Sequence, residues 1–310
     1  MSLSYTEIHG ALSVKGTDLV DQHGNKIQLY GMSTHGLAWY PQYINSDAFG
    51  TLKNEWNTNC IRLAMYTAEP GGYCTDGNKE ELKDLVLRGV EYAAQSGMYA
   101  IVDWHILSDN NPNMNKEEAL AFWGEMSARL AHYNHVLYEI CNEPNGNATW
   151  EDVIKYANEV IPVIRANDPN TVILVGSPTW SQDIHLAAAA PLSYDNVMYT
   201  MHFYAASHKE KLRNRLESCI RQGLPVFISE FGMCDASGNG GNDFVQASAW
   251  MELIEKYNLS FLCWNLGNRD ESSSVIHYSC DKLSDWSEQD LTQSGNWIRN
   301  YFRSKGSSEQ

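Results

Sequence analysis

Eight short stretches rich in Val, Ile, Leu, Phe and Tyr recur along the chain at near-regular intervals. They are KIQLYGMS (26–33), NCIRLAMY (59–66), MYAIVDWH (98–105), VLYEICNE (136–143), TVILVG (171–176), VMYTMHFY (197–204), PVFISEFG (225–232) and LSFLCWNL (259–266). Each has the length of a strand, and most are apolar without alternation, as strands buried on both faces are. Helical patterns fill gaps between them. Residues 80–97 place Leu82, Leu85, Val86, Val90 and Ala93 on one face and close on Gly97, and further helices are predicted over 115–133, 149–167, 242–258 and 290–303. Strands alternating with helices make βαβ units and a parallel sheet. Eight such units in 310 residues predict an α/β fold of the (β/α)8 TIM barrel type. A doubly wound sheet fits less well, because no G-x-G-x-x-G follows the first run.

Residues 12–27 read as a short N-terminal β-hairpin, turning at Gly24-Asn25, that caps the bottom of the barrel. No break in composition divides residues 1–303, which are read as one catalytic domain, and SKGSSEQ (304–310) reads as a polar tail or the start of a linker. The net charge of −16 argues against nucleic acid, anionic membranes and polyanionic substrates as partners. No apolar stretch reaches membrane-spanning length. Ten Trp and 17 Tyr supply core and also flat platforms for a ligand. Seven scattered cysteines form no C-x-x-C pair and read mostly as free buried thiols, with one or two disulfides left open.

In a barrel of this kind the chemistry lies at the C-terminal ends of the strands. The first run leads into His35 and Trp39. The second carries Arg62 and ends at Tyr66, and the third ends in Asp103-Trp104-His105. The fourth ends in Asn142-Glu143, and the fifth leads to Trp180. The sixth ends in His202-Phe203-Tyr204, the seventh in Glu230 and the eighth in Trp264-Asn265. Glu143 and Glu230 end runs three strands apart and are expected to face each other across the mouth. Two carboxyl groups flanking a cleft are the apparatus of glycoside hydrolysis, one protonated to donate to the leaving oxygen and one ionised to attack. Arg62 and Tyr204 are expected to hold Glu230 ionised. Asn142 is placed to bond a sugar hydroxyl, and His105 and His202 to tie the network together. A metal-dependent hydrolase would want His-x-His after the first strand, which STHGL (33–37) lacks. The Gly-rich ASGNGGND (236–243) has no neighbouring Lys or Arg to make it a phosphate site. A sugar-binding barrel without activity would have lost one of the two carboxylates.

These residues resemble glycoside hydrolase family 5. NEPN (142–145) is similar to that family's acid/base motif and ISEFG (228–232) to its nucleophile motif, with RLAMY (62–66), DWH (103–105), HFY (202–204) and CWN (263–265) as further signatures. GMSTHGLAWY (31–40), GSPTWSQD (176–183) and RDESS (269–273) resemble its bacterial endoglucanases. The resemblance implies a retaining endo-β-1,4-glucanase (a cellulase) acting on cellulose and related β-glucans, with the same mechanism on mannan, lichenan or xyloglucan as the alternative. It implies Glu143 as acid/base and Glu230 as nucleophile, supported by Arg62, His105, Asn142, His202 and Tyr204. Trp264 would stack under the sugar that reacts. His35, Trp39, Tyr66 and Trp180 would line neighbouring subsites, with Arg269 and Glu271 further along the glycone side. Phe231 stands where many relatives carry Trp, and Arg269 where close relatives carry Lys. No metal or organic cofactor is expected. The enzyme is expected to be secreted and to meet its β-1,4-glucan as a monomer, although MSLSY at the start shows no leader.

Overall fold

The structure is a computed structural model that describes residues 3–306. Two short strands, β1 (Ser13–Lys15) and β2 (Asp18–Val20), pair antiparallel and precede the barrel. The barrel strands are β3 (Tyr30–Thr34), β4 (Cys60–Tyr66), β5 (Tyr99–His105), β6 (Val136–Glu139), β7 (Ile173–Val175), β8 (Val197–Tyr204), β9 (Val226–Gly232) and β10 (Phe261–Leu266). They are parallel, follow one another in chain order, and close with β10 against β3. The expected (β/α)8 TIM barrel is therefore the fold.

The helices form where sequence and local chemistry agree. In Lys79–Gln95 the side chain of Asn78 accepts from the amides of Glu80 and Glu81, two acidic residues favour the amino end, and the predicted stripe is buried. Thr149 and Asp152 cap Trp150–Asn167 reciprocally. Helices over Ser46–Asn54, Lys116–Leu130, Phe244–Lys256, Ile184–Ala189 and Glu210–Arg221 surround the barrel with them. The last of these buries only Leu212, Leu216, Cys219 and Ile220, a stripe too thin to stand out in a polar segment.

Three boundaries differ from the sequence expectation. The N-terminal hairpin turns at Gly16-Thr17, whereas Gly24-Asn25 makes a second turn. There the Asp21 carboxylate accepts from the amides of His23 and Asn25. β6 stops at Glu139, four residues before Glu143. The final helix runs Gln293–Gly306, past the expected start of the tail at 304, and residues 307–310 of that tail lie outside the described residues.

The barrel interior has two apolar and polar zones stacked along its axis. At the bottom, Leu29, Cys60, Tyr99, Ile101, Leu137, Leu174, Met198, Phe227 and Leu262 cluster under Leu12, Leu19 and Ile27 of the N-terminal segment. Burying those last three side chains is worth about 5–9 kcal/mol at most. Two residues beyond Cys60, Ile101, Leu137, Met198 and Phe227 the interior turns polar, with Arg62, Asp103, Glu139, Thr200 and Ser229 all fully buried, and Ser33 of β3 joins them. The mouth lies above this layer. β9 carries one residue more than its neighbours. Thr200 and His202 of β8 face Phe227 and Glu230, and Phe261 and Cys263 of β10 face Ile228 and Phe231. This bulge lets Ser229 and Glu230, adjacent in sequence, both point inward. All seven cysteines are free. No helix among the described residues is long and apolar enough to cross a membrane.

Candidate active site

A cleft of about 600 Å³ opens at the C-terminal ends of the barrel strands. His35, Tyr66, His105, Glu143, Trp180, His202, Tyr204, Glu230, Trp264, Arg269 and Glu271 line it, which gathers eleven of the fourteen expected residues. Arg62 and Asn142 lie beneath its floor, fully buried. Trp39 stands outside the wall, 37% exposed. Its indole N–H donates to the Pro70 carbonyl at 2.8 Å, and the Arg269 guanidinium lies 5.4 Å over its ring. Ser237 and Gly238 from the Gly-rich loop, together with Gln182 of GSPTWSQD and His208, also line the cleft and are not among the expected residues.

The floor is a closed network of charges. Arg62 Nε donates to Glu139 Oε2 at 2.7 Å and Nη1 to Glu230 Oε2 at 2.9 Å. Its Nη2 lies 3.0 Å from Asp103 Oδ2 and donates to Asn142 Oδ1 at 2.6 Å. One guanidinium therefore meets three carboxylates, which is what a fully buried cation requires. Asn142 Nδ2 donates to the Ile106 carbonyl at 3.0 Å, so both ends of its amide are engaged under the floor. Asp103 also holds His105 Nδ1 at 2.6 Å. His202 links Glu143 at the mouth to the layer below. Its Nδ1 is 2.8 Å from Glu143 Oε1 and its Nε2 2.8 Å from Ser229 Oγ, whose hydroxyl donates to Glu139 Oε1 at 2.7 Å. Tyr204 donates to Glu230 Oε1 at 2.8 Å. Glu143, His202 and Glu230 each place an atom within 4.8 Å of the other two. That spacing suits a metal ion, but both ring nitrogens of His202 are already committed to hydrogen bonds.

The two carboxyl groups of the mouth are pushed apart in acidity. For Glu143, burial and the charge of Glu230 both disfavour ionisation and outweigh the contacts from His202, so its pKa is raised. Burial also acts against ionised Glu230, yet the positive charges of His202, Arg62 and His105 and the Tyr204 hydroxyl prevail and lower it. Burial lowers the affinity of His202 for its proton, but the carboxyl groups of Glu139, 3.7 Å from Nε2, and Glu143, 2.8 Å from Nδ1, carry it up to about 9. Glu139 is buried too, and Arg62 and His202 nevertheless hold it down to about 2. An imidazolium at His202 is consistent with its geometry: each ring nitrogen lies 2.8 Å from an oxygen, and Ser229 passes the chain of hydrogen bonds on to Glu139.

The platforms flank this pair. Trp264 packs on His105 (centroids 5.3 Å, 22° between planes) and tilts against His35 at 5.2 Å. The peptide bond between Trp264 and Asn265 is cis. Glu271 lies 3.6 Å from His35 and 3.3 Å from Arg269, which ties the two expected glycone-side residues together. On the opposite side, Trp180 is 45% exposed at the tip of a turn in which Thr179, Trp180 and Ser181 all have left-handed backbone (φ 59°, 53° and 55°). That conformation costs an L residue roughly 1–2 kcal/mol.

A parallel barrel with two opposed carboxyl groups of divergent acidity at its C-terminal mouth, between aromatic platforms, defines a barrel glycoside hydrolase. The comparisons with known proteins agree. The family model for cellulase (glycosyl hydrolase family 5) matches residues 20–270, and the chain belongs to that family. It is 48% identical over 301 residues to Endoglucanase A of Butyrivibrio fibrisolvens, covering 96% of this chain and 69% of that protein. It is 44% identical over 295 residues to an endoglucanase of Clostridium saccharobutylicum, covering 95% of this chain and 65% of the relative. The chain thus spans about two thirds of the length of these relatives. Among solved structures, Cellulase Cel5C_n superposes with a TM-score of 0.94 at 42% identity, over 97% of this chain and 94% of the other. The catalytic domain of Thermobifida fusca endoglucanase Cel5A gives 0.93 at 38%, over 97% and 100%. A variant of that domain has been solved in complex with cellotetraose.

Proposed function

We propose that this chain hydrolyses internal β-1,4-glucosidic bonds of cellulose and related β-glucans with retention of configuration. The observation that carries the mechanism is the spacing of the carboxyl groups. Glu143 and Glu230 bring oxygens within 4.8 Å of each other. Retaining enzymes keep their carboxyl groups about 5–5.5 Å apart, whereas inverting enzymes need about 6.5–9.5 Å to admit a water. The directions of the two pKa shifts support the same division of roles. Glu230, ionised and held by Arg62 and Tyr204, attacks the anomeric carbon. Glu143, protonated, gives its proton to the glycosidic oxygen, and the leaving chain departs. Glu143, now ionised, takes a proton from water, which attacks the glycosyl-enzyme at the same carbon and frees Glu230. Trp264 would underlie the reacting sugar, with His35, Tyr66, Arg269 and Glu271 on one side and Trp180 on the other. Trp39 would join the glycone side at the edge, through its contact with Arg269.

The endoglucanase names of the relatives and the cellotetraose complex of the Thermobifida domain support the choice of β-1,4-glucan. A polymeric substrate supports a secreted enzyme, and a cleft lined wholly by one chain supports a monomer whose single catalytic domain is this barrel. The test is a viscosity and reducing-sugar assay on carboxymethylcellulose, with mannan and xylan beside it and the product anomer read by NMR. The expected result is a fast viscosity drop with β-anomer released first, lost in both Glu143→Gln and Glu230→Gln. Activity confined to mannan would overturn the substrate, and an initial α-anomer would overturn the mechanism.

A further inference from the structure

We infer that Ser181 is a positioning residue for Glu143, fixing the aim of the proton donor from the turn that also carries Trp180. The inference rests on the reading of Glu143 as the acid. Because β6 ends at Glu139, Glu143 stands on a segment beyond the regular ladder, and something else must hold that segment still. Four consecutive carbonyls do so. Cys141 O accepts from the Gly176 amide at 3.2 Å, and Asn142 O from Ser181 Oγ at 2.7 Å. Glu143 O accepts from Asn145 Nδ2 at 2.8 Å, and Pro144 O from the Trp180 amide at 3.0 Å. Three of these four donors come from residues 176–181. The peptide before Glu143 and the one after Pro144 are thus held by one neighbouring turn, and the peptide between them by Asn145.

Ser181 supplies the clamp on the peptide immediately before Glu143. It is fully buried, and the Thr200 hydroxyl donates to its Oγ at 3.3 Å, which orients the Ser181 proton toward Asn142. The seat is tight. A Cβ placed on Gly176 would come 2.8 Å from Asn142 O and 2.9 Å from Ser181 Oγ, so any side chain there would drive the two apart. The left-handed backbone at 179–181 is what lets a single turn offer the Trp180 amide to one carbonyl and the Ser181 hydroxyl to another. In the same turn Thr179 Oγ1 donates to Asp183, which Arg215 holds in turn. A sugar resting on Trp180 and the carboxyl that protonates its oxygen are therefore mounted on one unit.

The consequence is specific to the acid's work. A leaving group that departs without protonation should be indifferent to the aim of Glu143, whereas a sugar alkoxide should not. The test uses Ser181→Gly, which accepts the left-handed backbone without cost and deletes the hydroxyl, with Ser181→Ala and Thr200→Val beside it. The readout is kcat/KM on aryl β-cellobiosides of graded leaving-group acidity and on cellotetraose. Ser181→Gly and Ser181→Ala should stay within about twofold of the parent on 2,4-dinitrophenyl cellobioside and fall about tenfold or more on phenyl cellobioside and cellotetraose. Thr200→Val should move the same way by less. Glu143→Ala, run in parallel, should show the same leaving-group dependence more steeply. Equal losses across the series in Ser181→Gly, or none, with Glu143→Ala behaving as stated, would overturn the inference alone. A Glu143→Ala variant that showed no leaving-group dependence would overturn the assignment of the acid and the inference with it.

Discussion

Removing one hydroxyl, in Tyr204→Phe, should move the acid limb of the pH-rate profile and leave the fold intact. The Tyr204 hydroxyl donates to Glu230 Oε1 at 2.8 Å, while Arg62 donates to the other oxygen at 2.9 Å. Only the first of these bonds is deleted. The ring itself stays, because it lies flat on Gly232. A Cβ added there would come 2.7 Å from the Tyr204 ring carbons, so Phe fits the same slot. A hydrogen bond to a charged acceptor contributes about 1.5–3 kcal/mol. Lost from the ionised form of Glu230 alone, that is about 1–2 pH units, at 1.36 kcal/mol per unit. The sign follows from which form is favoured: the hydroxyl stabilises the carboxylate, so its loss raises the pKa of Glu230 from its lowered position back toward the ordinary 4.5. The acid limb of kcat/KM, which reports the free enzyme, should therefore shift to higher pH by about 1–2 units, while the alkaline limb, set by Glu143, moves less. The assay is kcat/KM for cellotetraose or an aryl cellobioside from pH 3 to 9, with thermal unfolding at each pH as a control. A uniform loss at all pH values, with the acid limb in place, would refute the reasoning. The hydroxyl would then be acting on the substrate instead of on the nucleophile's proton affinity.

Other consequences can be checked with single variants. Glu139→Gln strips one carboxylate from Arg62 and from the Ser229–His202 chain, and breaking a buried ionic network in this way should cost about 3–5 kcal/mol. Differential scanning calorimetry should then show a fall in Tm of roughly 10 °C, and a fall of a degree or two would mean that Asp103 and Glu230 suffice for Arg62. Trp180→Ala should raise KM for cellotetraose and longer chains about fivefold through loss of the platform, and an unchanged KM would remove Trp180 from the binding surface. Stability itself should depend on pH through the buried layer. The contribution of His202 is present in full below its ordinary 6.5 and disappears as pH rises through about 9. That of Glu139 is present above its ordinary 4.5 and disappears as pH falls toward about 2. Unfolding temperatures should therefore peak between these limits, and a Tm that kept rising above pH 9 would contradict the assignment of a buried imidazolium.

The barrel was legible because its strands are short, apolar and evenly spaced, and Glu143 and Glu230 were legible because each follows such a run directly. What lies one layer deeper was harder to read. Arg62 demanded an anion, but Glu139 sits inside VLYEIC, where an apolar run hides it, and only its depth, level with Arg62 and Asp103 on neighbouring strands, marks it. Ser229 escaped because strict alternation assigns adjacent residues to opposite faces, and the bulge on β9 breaks that rule. The turn at 179–181 gave no warning, since Thr, Trp and Ser carry no preference for left-handed backbone. Gly24-Asn25 is the stronger turn signal in the N-terminal segment, although Gly16 closes the pair that forms.

The extra residue of β9 also bears on how such a barrel can change over time. Deleting Ser229 would restore an even ladder with both neighbouring strands and would spare the apolar bottom and the N-terminal segment. Glu230 would keep its inward side chain and its place opposite His202, but the hydroxyl that joins His202 to Glu139 would be gone. A shorter, more regular strand is thus compatible with the scaffold and with the position of the nucleophile, and what it loses is the contact between the mouth and the buried charges below. The extra residue is therefore one that the ladder does not need and the hydrogen-bond chain does.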